Sequence, residues 1–400
     1  MRKLLQINTV GNCTSTGKIA EGIGVVAQNY GWEVYSAFGR NPRNSKMTTY
    51  HLCSNAENLF NVMWCRMFDC DSPISKIATK KLINLMEEIQ PDVIQIHNLH
   101  GYYLNVAMLF DYLGTIKTPV VWTLHDCWSF TGHCAYPKEC TKWMDRCNCC
   151  PQKRMYPSSL LFDNSVKNFY QKCNIAKLNN IIFVPVSHWL NTMLKKSIYS
   201  KHLSYVIHNG IDLQKFKPIE SNLILNQYGL LNSTYILGVS NVWTDDKGYR
   251  DFFEIRKFFP EEIKIVLVGA CKSQCEQLAR NNIIGIPKTE NTEALAALYS
   301  NAKVFVSPTY YDNYPTVILE AIACGVPVVC YNTGGCIEAV HDSIGIVVDR
   351  GNVESMITEI SNIIYGRKKI LKQDCVSYAN LNFDQDKKFK EYLDIYEMLV

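Results

Sequence analysis

Residues 303–331 read KVFVSPTYYDNYPTVILEAIACGVPVVCY, and this stretch predicts the fold of the back half of the chain. Two runs rich in valine, at 303–306 and 326–331, flank an apolar segment at 316–324 that is expected to be helical. Short apolar strands that alternate with helices are typical of parallel sheets buried on both faces. The stretch therefore predicts a strand–helix–strand unit of an α/β fold.

The same alternation repeats along the rest of the chain. Further strands are predicted at 4–9, 33–38, 93–97, 120–125, 181–186, 235–239, 263–268 and 345–348. Further helices are predicted at 16–30, 74–89, 292–300 and 384–400. Because the pattern occurs in each half, the sequence predicts two Rossmann-like, doubly wound α/β domains. Ligands of such sheets bind at the carboxyl ends of the strands, so we expect the chemistry in a cleft between the domains.

The boundary between the domains is expected near residues 195–217. There the segment VIHNGIDLQKFKP forms a turn-rich connector that contains Asn209-Gly210 and ends at Pro218. The predicted domains span 1–203 and 204–380, and a last helix within 381–400 is expected to pack back on the N-terminal domain.

Composition excludes several classes of protein. A chain of 400 residues is too long for one ordinary core, and 47% hydrophobic with 20% charged residues is globular. No apolar run approaches the roughly 18–20 residues that cross a bilayer. The first residues are interrupted by Gln6 and Asn8, which favours a strand over a secretory signal, so a cytoplasmic location is expected.

The charge is unevenly distributed. Residues 1–200 hold 21 Lys/Arg and 13 Asp/Glu, whereas residues 201–400 hold 20 and 24. A basic front half suits an anionic partner or an anionic membrane surface, and it is equally compatible with a solvated surface that has no partner. No basic block with interleaved aromatic residues indicates a nucleic-acid groove.

Asp312 and Glu320 form the densest polar signal of the back half. A helix is expected to open at 313–316, and its free N–H groups would bind an anion. Glu320 lies eight positions after Asp312, roughly two helical turns further on nearly the same face. Two carboxylates could thus hold hydroxyl groups on either side of a phosphate bridge, as in a nucleoside-diphosphate sugar. Lys247, after the strand at 235–239, is suited to bind the diphosphate. The alternative for the two acidic residues is an ordinary capped helix, and the alternative for Lys247 is an ordinary exposed lysine.

The glycines of the front half do not complete a nucleotide motif. Five residues separate Gly11 from Gly17, and Ile19 occupies the hydroxyl position of a P-loop. A small-residue loop at a helix N-terminus remains. His125 and Asp126 end the strand at 120–125 and are site candidates, although a structural histidine is the alternative. His97 and His100 are weaker candidates on the acceptor side.

Seventeen cysteines include a cluster in an insertion predicted at 127–165. Four thiolates with one C-x2-C pair match the usual ligand count of a structural zinc ion, and the four are Cys134, Cys140, Cys147 and Cys150. Disulfides and unliganded thiols are the alternatives, and His133 or Cys149 could replace one ligand. A closed set of thiolates would be structural, and no catalytic metal is expected.

These segments resemble the retaining glycosyltransferases of family 4, which have the GT-B fold of two Rossmann-like domains. The family motif is an acidic residue, seven further residues and then glutamate, and here it reads Asp312, NYPTVIL and Glu320, followed by AIAC and Gly325-Val326-Pro327-Val328. Lys247-Gly248, the Asn-Gly-Ile-Asp at 209–212 and Gly334-Gly335 occur in family order, as does HDCWSFTGHC at 125–134 in some bacterial members.

The resemblance implies sugar transfer with retention from a nucleoside-diphosphate sugar. It places Glu320 on the ribose, Asp312 and His125 on the donor sugar, and Gly17 near the donor phosphate or the acceptor. It places Lys247 and the amides of 313–316, which include Asn313, Tyr314 and Thr316, on the diphosphate.

The resemblance further implies a glycan or polyprenyl-diphosphate-linked acceptor, with peripheral contact at the inner membrane, as in capsule or O-antigen assembly. An epimerase or phosphorylase of the same fold, or a sugar-binding protein, are the rival hypotheses.

Two departures from the family pattern concern the donor site. Asp312 is one methylene shorter than the usual glutamate. The family often has an arginine shortly before its lysine, but this chain has Asn241, which supplies no charge. Arg250 is the candidate that could replace it in neutralising the diphosphate.

Overall fold

The computed structural model describes all residues from Met1 to Val400. The strands are β1 (Lys3–Val10), β2 (Glu33–Arg40), β3 (Thr48–His51), β4 (Val93–Ile96), β5 (Val120–Leu124), β6 (Ile181–Pro185), β7 (Thr234–Val239), β8 (Ile263–Val268), β9 (Ile284–Ile286), β10 (Val304–Ser307), β11 (Val328–Tyr331) and β12 (Gly345–Val348). The helices are α1 (Thr14–Asn29), α2 (Asn55–Phe68), α3 (Ile77–Ile89), α4 (Val106–Leu113), α5 (Ser165–Ile175), α6 (His188–Lys195), α7 (Asn222–Gln227), α8 (Asp251–Phe258), α9 (Lys272–Arg280), α10 (Thr292–Asn301), α11 (Thr316–Ala323), α12 (Val353–Ile364), α13 (Lys372–Asn382) and α14 (Gln385–Leu399).

The chain divides into two compact units, and each contains one sheet. Unit 1 comprises Met1–His208 and Asp386–Val400, and unit 2 comprises Asn209–Gln385. None of the helices combines the length and the apolar character needed to cross a bilayer.

Unit 1 is built on a six-stranded parallel sheet in the order β3-β2-β1-β4-β5-β6. This is the doubly wound Rossmann order, in which the direction of winding reverses between the first and fourth strands. Gln6 is buried in β1, and its side chain donates to Gln95 in β4 (2.8 Å), which donates in turn to Thr123 in β5 (3.0 Å). This chain of hydrogen bonds links the polar side chains of three neighbouring strands and leaves Gln6 Oε1 buried without a partner.

One core of unit 1 joins α1, the sheet and the last helix. Leu4, Ile23 and Val121 pack in one cluster with Phe389 and Tyr396 of α14. Gly22 on α1 leaves space for the Phe389 ring, because a Cβ at Gly22 would lie 2.2 Å from that ring. The last helix is therefore part of the fold of unit 1.

Unit 2 repeats the same topology. Its six parallel strands lie in the order β12-β11-β10-β7-β8-β9, which is the Rossmann order read from the other edge. The predicted fold class of two Rossmann-like α/β domains is confirmed. Ile236, Ile265 and Val306 from the strands and Phe252 and Met356 from the helices form its core.

The edge of unit 1 near the connector differs from the predicted boundary after residue 203. Residues 203–207 still bond to β6, through Phe183 N to Leu203 O (3.0 Å), Tyr205 N to Phe183 O (3.0 Å) and Ile207 N to Pro185 O (3.2 Å). These bonds keep the chain in unit 1 as far as His208.

Candidate active site

In unit 2 the strand order reverses between β7 and β10, which are neighbours in the sheet. The loops after two such strands leave in opposite directions and open a crevice, which is where ligands of this fold bind. The loop after β7 carries Asn241, Lys247 and Arg250, and the loop after β10 carries Asp312, Asn313 and Tyr314. The topology thus brings most of the predicted donor-site residues to one edge of the sheet.

Lys247 and Asp312 join these two loops as an ion pair, with Nζ and Oδ2 2.5 Å apart. The Tyr310 N–H also donates to the carbonyl of Asp246 across the same gap (2.8 Å). The lysine side chain is 32% exposed, so the pair is accessible to a ligand. Because an ammonium group has three N–H donors, Lys247 can bind a second anion together with Asp312.

The surroundings keep Lys247 charged. Burial lowers the pKa of Lys247, but the charge of Asp312 and the hydrogen bond to it raise it, and the net pKa lies above the usual value. The other carboxylate oxygen of Asp312 accepts the N–H of Asn313 (2.8 Å). The Asn313 amide, predicted to face a diphosphate, is therefore already bonded to Asp312.

Two glycines allow the backbone to close around this pair. Gly248 has φ of 71°, and a Cβ there would lie 2.2 Å from the carbonyl oxygen of Pro308. Gly334 has φ of 52°, and a Cβ there would lie 1.8 Å from the carbonyl oxygen of Asp312. Both positions exclude any side chain, so these glycines fix the distance between the loops.

The helix after Asp312 begins where the predicted helix at 316–324 begins, and the residues just before it are extended. Its first residue is Thr316, and Pro315 at the N-cap is extended, with φ −72° and ψ 122°. The predicted helix at 316–324 is therefore confirmed, whereas the expectation that 313–315 open it, with two helical turns between Asp312 and Glu320, is wrong. Tyr314 precedes a proline, which disfavours helical backbone there. Glu320 lies about one turn inside α11, and its carboxylate accepts the Tyr299 hydroxyl of α10 (3.1 Å).

Asn313 and Tyr314 are buried, and Thr316 is half-buried at the first position of α11. The Tyr314 carbonyl accepts the side-chain amide of Asn209 (3.1 Å), so the connector supports the segment before the helix. Asn313 and Tyr314 contribute to the floor of this loop, and Thr316 carries one of the N–H groups at the helix start.

Asn241 and Arg250 lie at the surface of the loop after β7. Asn241 is exposed, and the Arg250 side chain is 80% exposed and pairs with Asp245 (Nε–Oδ1 2.9 Å). The structure therefore does not bring either residue into contact with Lys247 or Asp312.

In unit 1, His97 follows β4 and His125 follows β5, so they meet at the carboxyl edge of the sheet. His97 Nδ1 and His125 Nε2 are 3.1 Å apart, and the rings stack at 18°. Beside them, His100 Nε2 lies 2.8 Å from Asp126 Oδ2, and its Nδ1 lies 3.1 Å from the Tyr156 hydroxyl. The predicted histidines thus form one connected polar cluster.

Burial controls the protonation of this cluster. It lowers the pKa of His125 to about 4, although the charge of Asp126 opposes the shift. Burial and the neighbouring His125 hold the pKa of His97 well below its usual range. Both imidazoles are therefore neutral near pH 7, and His125 can exchange hydrogen bonds with hydroxyl groups without carrying charge.

Two family models match this chain and together extend over most of it. The model described as "Glycosyltransferase Family 4" matches residues 43–215, and the model described as "Glycosyl transferases group 1" matches residues 225–381. The chain belongs to the family 4 glycosyltransferases. Transferases of this group 1 type use nucleotide sugars.

Curated relatives of this glycosyltransferase carry names from polysaccharide assembly. A protein named for colanic acid biosynthesis, the glycosyl transferase WcaC of Escherichia coli (strain K12), is 22% identical over 324 residues, which is 77% of each chain. A Campylobacter jejuni protein named N,N'-diacetylbacillosaminyl-diphospho-undecaprenol alpha-1,3-N-acetylgalactosaminyltransferase is 25% identical over 250 residues, 59% of this chain and 64% of that protein.

Solved structures show the same fold over the full length. Sucrose-phosphate synthase from Thermosynechococcus elongatus superposes with a TM-score of 0.71 at 15% identity, covering 100% of this chain and 99% of that chain. HepE of Anabaena in complex with UDP gives a TM-score of 0.69 at 15% identity, with 100% of both chains covered. Both likenesses support the GT-B fold.

Gly17 of the glycosyltransferase is buried inside α1. A Cβ there would lie 2.0 Å from the carbonyl oxygen of Gly11. The absence of a side chain at Gly17 is thus required for packing of α1 against the loop after β1. A contact between Gly17 and the donor stays a prediction.

The predicted metal-binding cysteines of the glycosyltransferase lie in the loop between β5 and α5, as free thiols. The thiols of Cys134 and Cys150 are hydrogen bonded, and this bond lowers the pKa of Cys150 to about 7. The sulfur of Cys147 accepts the N–H of Gly132 (3.2 Å). Among the sulfurs of the four predicted ligands, which include Cys140, no three lie within 4.8 Å of one another. The four thiols are therefore neighbours that do not form a closed shell around a metal position.

Tyr299 is a site residue that the sequence did not indicate. It lies in a predicted apolar helix, where an aromatic residue normally means core packing, and it is indeed fully buried. Only the packing of α10 against α11 brings its hydroxyl to Glu320. The contact between His97 and His125 was similarly hidden, because it depends on β4 and β5 being neighbours.

Proposed function

We propose that this glycosyltransferase moves a sugar from a nucleoside-diphosphate sugar to a glycan or lipid-linked acceptor with retention of configuration. The observation that carries the proposal is the Lys247–Asp312 pair, placed just before α11 at the switch point of unit 2. A cation, a carboxylate and free helix amides in one place match the charges and hydroxyls of a sugar diphosphate.

The donor is expected to lie across the start of α11. Lys247 and the N–H groups at Thr316 would bind the diphosphate, and the helix dipole would add to this attraction. Glu320, already oriented by Tyr299, would accept hydrogen bonds from the ribose hydroxyls. Asp312 would accept those of the transferred sugar, with Asn313 and Tyr314 shaping the floor beneath it.

Arg250 stays a candidate for the second cation at the diphosphate. Its exposed ion pair with Asp245 is worth about 0–1 kcal/mol, so exchanging that partner for a phosphate costs little. Asn241 would contribute a neutral hydrogen bond.

In the proposed reaction the bond between the sugar C1 and the β-phosphate oxygen breaks, and its electron pair stays on that oxygen. Lys247 and the helix amides stabilise the developing charge. The acceptor oxygen bonds to C1 on the same face, and its proton passes to the leaving phosphate. Because the leaving phosphate takes the proton, the reaction requires no separate carboxylate base, and because Lys247 and the helix amides hold the developing charge, it requires no catalytic metal. A contact of His125 with the donor sugar stays a prediction.

The sugar acceptor is inferred from the relatives. The name of the Campylobacter protein specifies a diphospho-undecaprenol-linked sugar, and that of the Escherichia coli protein specifies colanic acid. A polysaccharide intermediate carried on a polyprenyl diphosphate fits both.

The experiment begins with a panel of nucleoside-diphosphate sugars, screened by thermal shift of the full chain. Product formation is then measured for Glu320→Gln and Lys247→Met, for which we expect kcat/KM to fall at least about 100-fold, or about 2.7 kcal/mol. Lys257→Met is the matched control, since Lys257 is an exposed lysine paired with Glu254 on α8. Unchanged kinetics in both variants would remove the proposed donor site.

The reaction class is decided by two further measurements. Without acceptor, a transferase releases nucleoside diphosphate slowly by hydrolysis, an epimerase forms the epimeric donor, and a binding protein does neither. The anomeric proton coupling in the NMR spectrum of the product distinguishes retention from inversion.

We further infer that unit 1 contacts an anionic membrane through an exposed apolar surface. This surface joins α2 to the segment 160–162, through Leu160 N to Arg66 O (2.6 Å) and Phe162 N to Met67 O (3.2 Å). Its apolar side chains are 49–66% exposed, and they are Leu59, Phe60, Met63, Leu160, Leu161 and Phe162. An apolar patch of this kind commonly marks an interaction site.

The charges at this surface favour anionic lipid. Arg66 lies within α2, Lys153 donates to the carbonyl of Leu161 (3.2 Å), and Arg154 is exposed next to it. The nearby acids are engaged within the protein, because Glu57 accepts from Ser75 (2.5 Å) and Asp163 from the Cys150 N–H (2.6 Å). Basic groups beside apolar ones are typical of proteins that lie at a membrane interface.

Vesicle sedimentation tests the membrane contact. The full chain should bind vesicles with anionic lipid and bind much less to purely zwitterionic ones. Leu160→Ser with Leu161→Ser should weaken binding at least about tenfold. Leu223→Ser with Leu381→Ser, two still more exposed leucines of unit 2, is the control. Equal losses in both double variants, or no binding by the wild type, would contradict the proposal.

A further inference from the structure

The loop between β5 and α5 lacks regular secondary structure, so its conformation must be fixed by other interactions. Residues 125–164 contain no strand and no α-helix, only the short 3-10 turns Trp128–Phe130 and Lys142–Met144. Loops of this length inside a compact domain are uncommon unless something fixes them. The rings of Phe130 and Trp143 pack at 5.3 Å and supply part of that order.

Three of the four thiols in this loop take part in hydrogen bonds through sulfur. Cys134 and Cys150 are hydrogen bonded to each other, and Cys150 also accepts the backbone N–H of Gln152. Cys147 accepts the N–H of Gly132, and Cys140 lies near enough to Cys147 to interact with it electrostatically. Backbone N–H groups directed at sulfur stabilise negative charge on it.

An unpartnered buried histidine lies in the same loop. His133 is 2% exposed, its Nδ1 lies 2.5 Å from Asp69 Oδ1, and its Nε2 is buried without a hydrogen-bond partner. A buried ring nitrogen without a partner is costly, and a nearby thiolate or metal would satisfy it.

A buried cation holds the backbone beside these thiols. Lys172, which is fully buried, donates to the carbonyls of Trp128 (2.6 Å) and Thr131 (2.7 Å) and pairs with Asp71 (2.8 Å). Four thiolates around a divalent ion carry a net charge of −2, and the charge of Lys172, which acts on Cys147, offsets part of it.

We propose that Cys134, Cys140, Cys147 and Cys150 bind one structural ion of the zinc class, and that His133 hydrogen bonds to one of these thiolates. Zinc binds four thiolates tetrahedrally at about 2.3 Å, so binding would draw the sulfurs of this loop together and fix its fold. His133 is held by Asp69 through Nδ1, and its Nε2, which has no partner, is assigned to a hydrogen bond with one of these thiolates. The site goes beyond the proposed sugar transfer and does not depend on it.

Metal analysis of the full chain tests the site. Mass spectrometry of the metal content should find about one zinc per chain after dialysis, released when a mercurial reagent blocks the thiols. Serine at any of the four cysteines should abolish stoichiometric zinc. Cys149→Ser should retain it, since Cys149 is an exposed neighbour in the same segment. His133→Asn should retain it as well.

X-ray absorption at the zinc edge of the wild type needs no variant and keeps the test valid if a serine variant misfolds. Four sulfur neighbours at about 2.3 Å support the ligand set. Three sulfurs with one nitrogen, or loss of zinc in His133→Asn alone, would overturn it. A metal-free wild type with four reactive thiols, or with a disulfide between Cys134 and Cys150, would overturn the metal site altogether.

Discussion

His97 and His125 share one hydrogen bond, and the ring that accepts in it cannot be protonated at that nitrogen without losing the bond. Burial lowers the pKa of His125 to about 4, below the value of about 6.5 that an unfolded chain would have. Between these pH values the unfolded state binds more protons, so stability should fall as the pH drops from 6.5 to 4. The urea midpoint of the wild type measures this loss. In His125→Gln the loss should be smaller, whereas in His341→Gln, at an exposed site, it should equal that of the wild type. An identical pH profile in all three proteins would contradict the buried pair.

At the scale of elements, the site depends on how two loops approach each other. Gly334→Ala would place a Cβ 1.8 Å from the Asp312 carbonyl, so the loop after β10 must move. We expect loss of stability of about 1–3 kcal/mol and a fall in donor affinity, measured by thermal unfolding and donor titration. Gly366→Ala is the matched control, since Gly366 has φ of 72° with nothing within 4 Å. Gly366→Ala introduces the same kind of backbone strain without moving Asp312. Equal loss of donor affinity in both variants would therefore refute the proposed clash between residue 334 and the Asp312 carbonyl.

Many of the buried strands could be predicted from the sequence, whereas an exposed edge strand and some contacts at the site could not. Strands buried on both faces, such as β8 at Ile263–Val268, were found because continuous valine and isoleucine have no other explanation. The edge strand β3 was missed because its residues TTYH are largely exposed and form no apolar run. At the site, Asp312, Lys247 and Glu320 were predicted from spacing and family resemblance. The extended backbone at 313–315 and the role of Tyr299 were not, because they depend on Pro315 and on the packing of neighbouring helices.

At the scale of the whole molecule, α14 lies at the end of the chain but completes the first unit. Phe389 is buried against Gly22, and Tyr396 packs edge-on against Trp32 at 5.7 Å. Phe389→Ala should therefore destabilise unit 1 by about 3–5 kcal/mol. Because unit 2 has its own sheet and core, its donor binding should persist at temperatures where unit 1 has begun to unfold. Calorimetry with and without donor separates the two transitions, and Leu381→Ala, at an exposed leucine on α13, is the control. A single transition that shifts as a whole, with donor affinity lost in parallel, would mean that the two units fold as one cooperative body.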